Sequence, residues 1–169
     1  KDRINYGYRK VIIMMLISGL FSIVVMGVLF ANMLHYLQNV TVADQAVKIC
    51  RINVNAAARN IREMALNNDA SSYDNYEQTV KKMLAEVDTQ LNNLKKSGVV
   101  SDADYEEYSS ALADWGNIGY SIMEKIKSGD KDKAVDSILN DCTPALNKAV
   151  KIATRLDEMT DKQSSQSAR

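Results

Sequence analysis

Apolar residues recur at alternating spacings of three and four in four blocks of this chain, and a fifth block near its start is apolar almost throughout. The first periodic block is Val40, Ala43, Val47, Cys50, Val54, Ala57, Ile61 and Met64. The second is Val80, Leu84, Val87, Leu91 and Leu94. The third is Tyr105, Tyr108, Leu112, Trp115, Gly119, Ile122 and Ile126. The fourth is Val135, Leu139, Cys142, Leu146, Ala149, Ala153 and Leu156. Such spacing draws one seam along a helix packed nearly parallel to its neighbours. Turn chemistry separates the blocks. A polar run from Asn67 leads to Ser72, placed to cap the second helix, and Ser97-Gly98 stops that helix. Ser101 or Asp102 caps the third, Ser128-Gly129 stops it, and Asp130 caps the fourth. Pro144, the single proline, falls inside the fourth block and predicts a kink or a loosened turn. So few breakers exclude a β-rich domain. Short connections force antiparallel neighbours, so the expected fold is all-α, an antiparallel up-down-up-down four-helix bundle.

Val11 to Leu34 is a run of 24 positions without a charge, preceded by Arg9-Lys10. A bilayer core needs roughly 20 apolar residues, and this run supplies them. Nothing breaks the helical pattern between it and Met64. Helix one of the bundle is therefore expected to be continuous with an N-terminal transmembrane helix, a single helix of ~60 residues. Lys1, Arg3, Arg9 and Lys10 precede the run, and no charge follows it until Asp44. The positive-inside rule then makes 1–10 cytoplasmic, 11–34 the span in the cell membrane, and 35–169 an extracytoplasmic four-helix bundle. A cleaved signal peptide would need a shorter apolar core and a small-x-small site, whereas Ala31 has Leu29 two positions earlier. Ser18 and Ser22, with Gly19 and Gly27, could let two anchors approach closely, although small residues are common in such helices. Up-and-down order returns Gln163–Arg169 to the membrane surface, so a second spanning helix is expected to follow in a longer protein.

Charge adds mainly exclusions. Twenty-one acidic and 21 basic residues balance to a net charge of zero, which implies no nucleic-acid partner. No nucleophile–base pair, Gly-rich phosphate loop or metal-ligand cluster is present, so no enzyme activity, metal or cofactor is expected. His35 ends the apolar run as an interfacial side chain, and Asp102, Asp104, Glu106 and Glu107 suit the start of a helix. Cys50 and Cys142 occupy seam positions whose heights differ by roughly 10 Å on helix geometry, beyond the ~7 Å Cα limit for a disulfide. They are expected to pack as buried thiols.

The first periodic helix carries the candidate chemistry. Arg51, Arg59 and Arg62 are interleaved with Asn53, Asn55 and Asn60 among small residues. Long cations beside small side chains can wall a pocket for an anion, because guanidinium binds carboxylate bidentately. The alternative is a solvated face on which Arg59 and Arg62 pair with Glu63 or with acids of a neighbouring helix. A second, weaker stripe, Val42, Ala46, Ile49, Asn53, Ala56 and Asn60, keeps heptad spacing and suggests a marginal self-association surface. Otherwise these positions are partly exposed filler.

Basic N-terminus, one spanning helix and a four-helix bundle ending at a second membrane face resemble the sensory module of methyl-accepting chemotaxis proteins. Ser128-Gly129-Asp130-Lys131-Asp132-Lys133-Ala134 is similar to that family's entry to its fourth helix. Pro144 follows at a familiar distance, then Leu146, Ala149, Ala153 and Leu156, and Arg59-Asn60-Ile61-Arg62-Glu63 resembles the arginine-bearing end of its first helix. The resemblance implies a homodimeric transmembrane chemoreceptor. It would bind a small molecule, or a ligand-loaded binding protein, near the outer half, at the dimer seam between first and fourth helices. Aligning Arg51-Ile52-Asn53 with the family's amino-acid receptors puts Ala56 and Asn60 where those receptors have arginines, so amino-acid recognition is not implied. For a directly bound ligand the expected contacts are Arg59, Arg62, Asn55 and the facing Thr143. The alternatives are the sensor of a histidine kinase or other transducer, and a membrane-anchored helical adaptor that transmits nothing.

Overall fold

The computed structural model describes residues 2–167. It comprises α1 (Asp2–Leu66), a 3-10 turn (Ala70–Ser72), α2 (Tyr73–Ser97), α3 (Asp102–Lys127), α4 (Lys131–Ser137), a π turn (Ile138–Cys142) and α5 (Thr143–Ser167). Among the described residues there is no strand. The chain forms two compact units, residues 1–38 and 39–169. The division falls four residues beyond the expected end of the span, just before Val40, the first buried side chain among those described.

In the first unit every side chain from Tyr8 to Tyr36 is exposed, including Phe21, Ile23 and Met26 at 70 % each. An apolar surface of that extent on one helix suits lipid and not water. It is the one candidate membrane span among the described residues. Ser22 Oγ donates to the Ser18 carbonyl at 2.9 Å, so that hydroxyl is satisfied within its own helix.

The second unit is the four-helix bundle, its fourth member built from α4, the π turn and α5. All eight predicted seam residues of α1, Val40 to Met64, are buried. Trp115 and Tyr108 of α3 fill the centre with Leu94 of α2 and Leu156 of α5. The helix ends follow ordinary backbone chemistry. Ser101 Oγ accepts from the Asp104 N–H at 3.2 Å and caps α3. At the other end of α3, the Asp130 N–H reaches the Lys125 carbonyl (2.9 Å) and the Gly129 N–H reaches that of Ile126 (3.1 Å), with Gly129 at φ 88°. This pair of bonds is a Schellman closure. Gly98 closes α2 at φ 64°. A side chain there would meet left-handed strain, and Gly98→Ala is expected to cost about 1 kcal/mol in a urea-denaturation comparison.

Two expected caps are not made. Ser72 precedes α2 with helical dihedrals and no capping bond. Asp69 serves instead, accepting from the Ser71 N–H at 3.0 Å to start a 3-10 turn that leads into the helix. Asp130 stands at the α4 start without capping it, and its carboxylate pairs with Lys133 at 3.1 Å. The fourth seam is also corrected. Val135 and Leu139 are 41 % and 64 % exposed, while Ala134, Ser137 and Ile138 are buried. The cause is the π turn, which inserts one residue ahead of Cys142 and slips everything before it by one position. It sits immediately upstream of Pro144. Proline lacks an N–H and crowds the carbonyl four residues back, so a widened turn there relieves a conflict that a regular helix would hold.

Candidate functional site

The arginines near the C-terminal end of α1 separate into two places. Arg62 is half-buried between α1 and α5, and its Nη2 donates to Thr143 Oγ1 at 3.4 Å. Thr143 has already committed its own proton to the Ile138 carbonyl, at 2.8 Å, so toward Arg62 it can only accept. Arg62 has no carboxylate within ion-pair distance among the described residues. It therefore keeps most of its five donors for a further partner. Behind it, Cys142 is buried, and its thiol is pushed up by burial, with Trp115 and the Arg62 charge drawing it partly back. The indole Nε1 of Trp115 is buried without a hydrogen-bond acceptor. The seam between α1 and α5 thus holds a guanidinium and a hydroxyl.

Arg59 and Asn55 lie elsewhere. With Arg51, Ile52 and Ala56 they line a shallow, open depression formed by α1 alone. Arg59 is exposed and stands 3.7 Å from Glu63, while Asn55 Nδ2 donates to the Arg51 carbonyl at 2.8 Å. Of the four residues expected to touch a ligand, the fold brings Arg62 and Thr143 together and leaves Arg59 and Asn55 on the outer face.

The expected self-association stripe is also redistributed. Val42 is exposed, and Ile49, Asn53 and Ala56 are half-buried, but Ala46 is 0 % exposed and belongs to the bundle's own core. Alanine there lets the helices approach, so its methyl is spent within one chain. The asparagines fold back on α1, Asn53 to the Ile49 carbonyl and Asn60 to that of Ala56. Ile52 beside the stripe stands further outward than Val42, at 65 %.

Sequence reasoning missed a polar clasp between the first half of the bundle part of α1 and the last half of α5. Arg51 Nη1 meets Asp157 Oδ2 at 2.8 Å, and Asp157 is only 8 % exposed. Thr160, 1 % exposed, donates to the Asp157 carbonyl at 2.9 Å and lies 3.4 Å from Asp44 Oδ1. Asp44 in turn holds Lys48 at 2.6 Å. Burial pushes the Asp157 carboxyl above its ordinary range, opposed by Arg51 and Lys48. Cys50 and Tyr108 border the clasp. Burial pushes the Cys50 thiol up to about 12, and its Sγ donates weakly to the Val87 carbonyl at 3.7 Å. The Tyr108 hydroxyl is buried without a partner. A signal for the clasp was available, because Thr160 continues the spacing of Ala149, Ala153 and Leu156 and puts a polar residue on the seam.

The whole chain, residues 1–169, matches one family model, described as a four helix bundle sensory module for signal transduction. No curated protein and no solved structure matches it.

Proposed function

The chain belongs to the four-helix-bundle sensory modules of methyl-accepting chemotaxis proteins, a non-catalytic signalling family, and from that premise we propose that it senses a small acidic ligand through Arg62 and Thr143. The observation that carries this reading is a half-buried guanidinium, without a carboxylate partner among the described residues, in the seam between α1 and α5. A ligand carboxylate there would take the free face of Arg62 and compete for its contact with Thr143. Binding can bias the pair α1 and α5 only by a difference in affinity between two arrangements. A contact that joins the two helices is where such a difference arises.

Arg59 and Asn55, on the outer face, suit a second role. With residues 1–10 cytoplasmic, 11–34 in the membrane and the bundle outside, a second copy would lie against α1 over Val42, Ile49, Ile52 and Ala56. Arg59 and Asn55 would then edge that contact. A second reading, recognition of a ligand-loaded binding protein, is favoured by Leu66, 79 % exposed at the end of α1.

The test is isothermal titration of the whole chain in lipid nanodiscs against a panel of mono- and dicarboxylates. Arg62→Ala is expected to weaken any binding tenfold or more, since hydrogen bonds to charged groups contribute about 1.5–3 kcal/mol each. Arg59→Ala should change it little. Undiminished binding by Arg62→Ala would refute the site.

A further inference from the structure

The fourth bundle helix carries two incompatible seams. Leu156, Ala153, Ala149, Leu146 and Cys142 descend in steps of three and four, and the next members of that series are Leu139 and Val135. Those two side chains point to solvent, while Ser137, a poorer core residue, is buried at 6 % exposure. The slip is held by identifiable contacts. Lys125 Nζ donates to Ser137 Oγ at 2.7 Å, satisfying a hydroxyl that would otherwise be buried alone. The Thr143 N–H and hydroxyl both close on the Ile138 carbonyl, the five-residue step of a π turn. Against these contacts stands the apolar surface of a leucine and a valine left largely in water.

We infer that the outer segment of the fourth helix is a two-register switch. In one register the extra residue is stored in the π turn at Ile138–Cys142. In the other it is passed back toward the α3–α4 turn and the helix is regular through Cys142. The change rotates residues 131–138 by one position, about 100°, and moves them ~1.5 Å along the axis. Val135 and Leu139 then enter the seam, Ile138 moves to its flank, and Ser137 turns outward. Packed seams accept either register but nothing between, so the element is bistable instead of compliant. An open groove beside the π turn, lined by Ile118, Ile122, Lys125, Ser137 and Asp141, leaves space on the face where the exchange takes place. Pro144 sets the balance, because its ring favours the widened turn. The switch does not require the ligand proposed at Arg62, although Thr143 would connect the two.

Thiol alkylation in the whole chain in nanodiscs, read by peptide mass spectrometry, tests this. Ser137→Cys places a thiol that is buried in the observed register and exposed in the other, with Cys50 and Cys142 reporting general opening. Adding Leu139→Asp, harmless where residue 139 is in water, would bury a carboxylate in the second register. It should slow alkylation at position 137 roughly tenfold or more. Adding Pro144→Ala should speed it, with Cys142 unchanged in both. Leu139→Ser gives a milder form of the same comparison. The switch is overturned if position 137 never reacts, if its rate ignores residue 139, or if it rises only together with Cys50 and Cys142.

Discussion

Replacing Trp115 by alanine is expected to destabilise the bundle by about 3–5 kcal/mol, measured as the loss of helical circular dichroism against urea. Trp115 is fully buried and is the largest such side chain among the described residues. It stands on α3 within a core to which α1, α2 and α5 all contribute. Removing it costs the transfer free energy of an indole and leaves a cavity that four helices fixed at their seams cannot collapse to fill. A domain stable by about 5–15 kcal/mol would lose a large part of its margin. Trp115→Phe separates volume from polarity. It keeps most of the ring and deletes an N–H buried without an acceptor, a group whose lack of a partner costs about 1–3 kcal/mol. The expected net change for phenylalanine is within about 1 kcal/mol, because a smaller cavity is offset by one fewer unsatisfied donor. A loss below about 1 kcal/mol for Trp115→Ala would show that the tryptophan does not organise this core.

Much of this arrangement was legible in the residues, and the exceptions share a physical origin. The α1 seam could be read because a regular helix maps spacing onto direction without ambiguity, and every expected member is buried. The α4 seam was misread by one position because periodicity assumes 3.6 residues per turn, and one π turn breaks that assumption. Pro144 announced a disturbance but not its sign, since a kink and a bulge both relieve the same clash. Caps behaved similarly. Ser101, beside a β-region backbone, caps as its residue type suggests, whereas Ser72 is overridden by a 3-10 turn that Asp69 starts. For the candidate site, the resemblance implied that Thr143 faces Arg59 and Arg62, of which the structure has Arg62 in contact with it. It could not separate Arg59 from Arg62, three residues apart, because their difference in burial depends on where α5 lies. Asp157 was invisible for another reason. A single acid beside a seam residue looks solvated until the arginine that meets it is known to stand on a different helix.

That buried acid gives the second large expected effect, an asymmetry between the two members of one ion pair. Arg51→Met should destabilise the bundle by about 3 kcal/mol at neutral pH, the low end of the range for orphaning a buried charge, because Arg51 itself is partly exposed. Asp157→Asn should cost under about 1 kcal/mol, since it removes the charge that is buried and leaves a cation that can reach water. The double variant should recover most of the Arg51→Met loss. The pH dependence follows from the direction of the Asp157 shift. Its carboxyl lies above the ordinary range because burial disfavours the charged form. A group raised on folding contributes stability that is complete below its unfolded value, near 3.8, and is lost as pH rises through the folded value. Removing the Arg51 charge raises that folded value further. The Arg51→Met deficit should therefore be greatest at neutral pH and shrink as the solution is acidified and Asp157 takes up a proton. Asp157→Asn has no carboxyl to titrate, so its own stability lacks this component and its difference from the wild type varies with pH by the Asp157 contribution alone. Urea midpoints for the four chains across that interval decide the matter, and a deficit for Arg51→Met that stays constant on acidification would sink the assignment. The clasp joins α1 to α5, the two helices whose relative position a ligand at Arg62 would bias. Its protonation therefore acts on the contact between the same two helices.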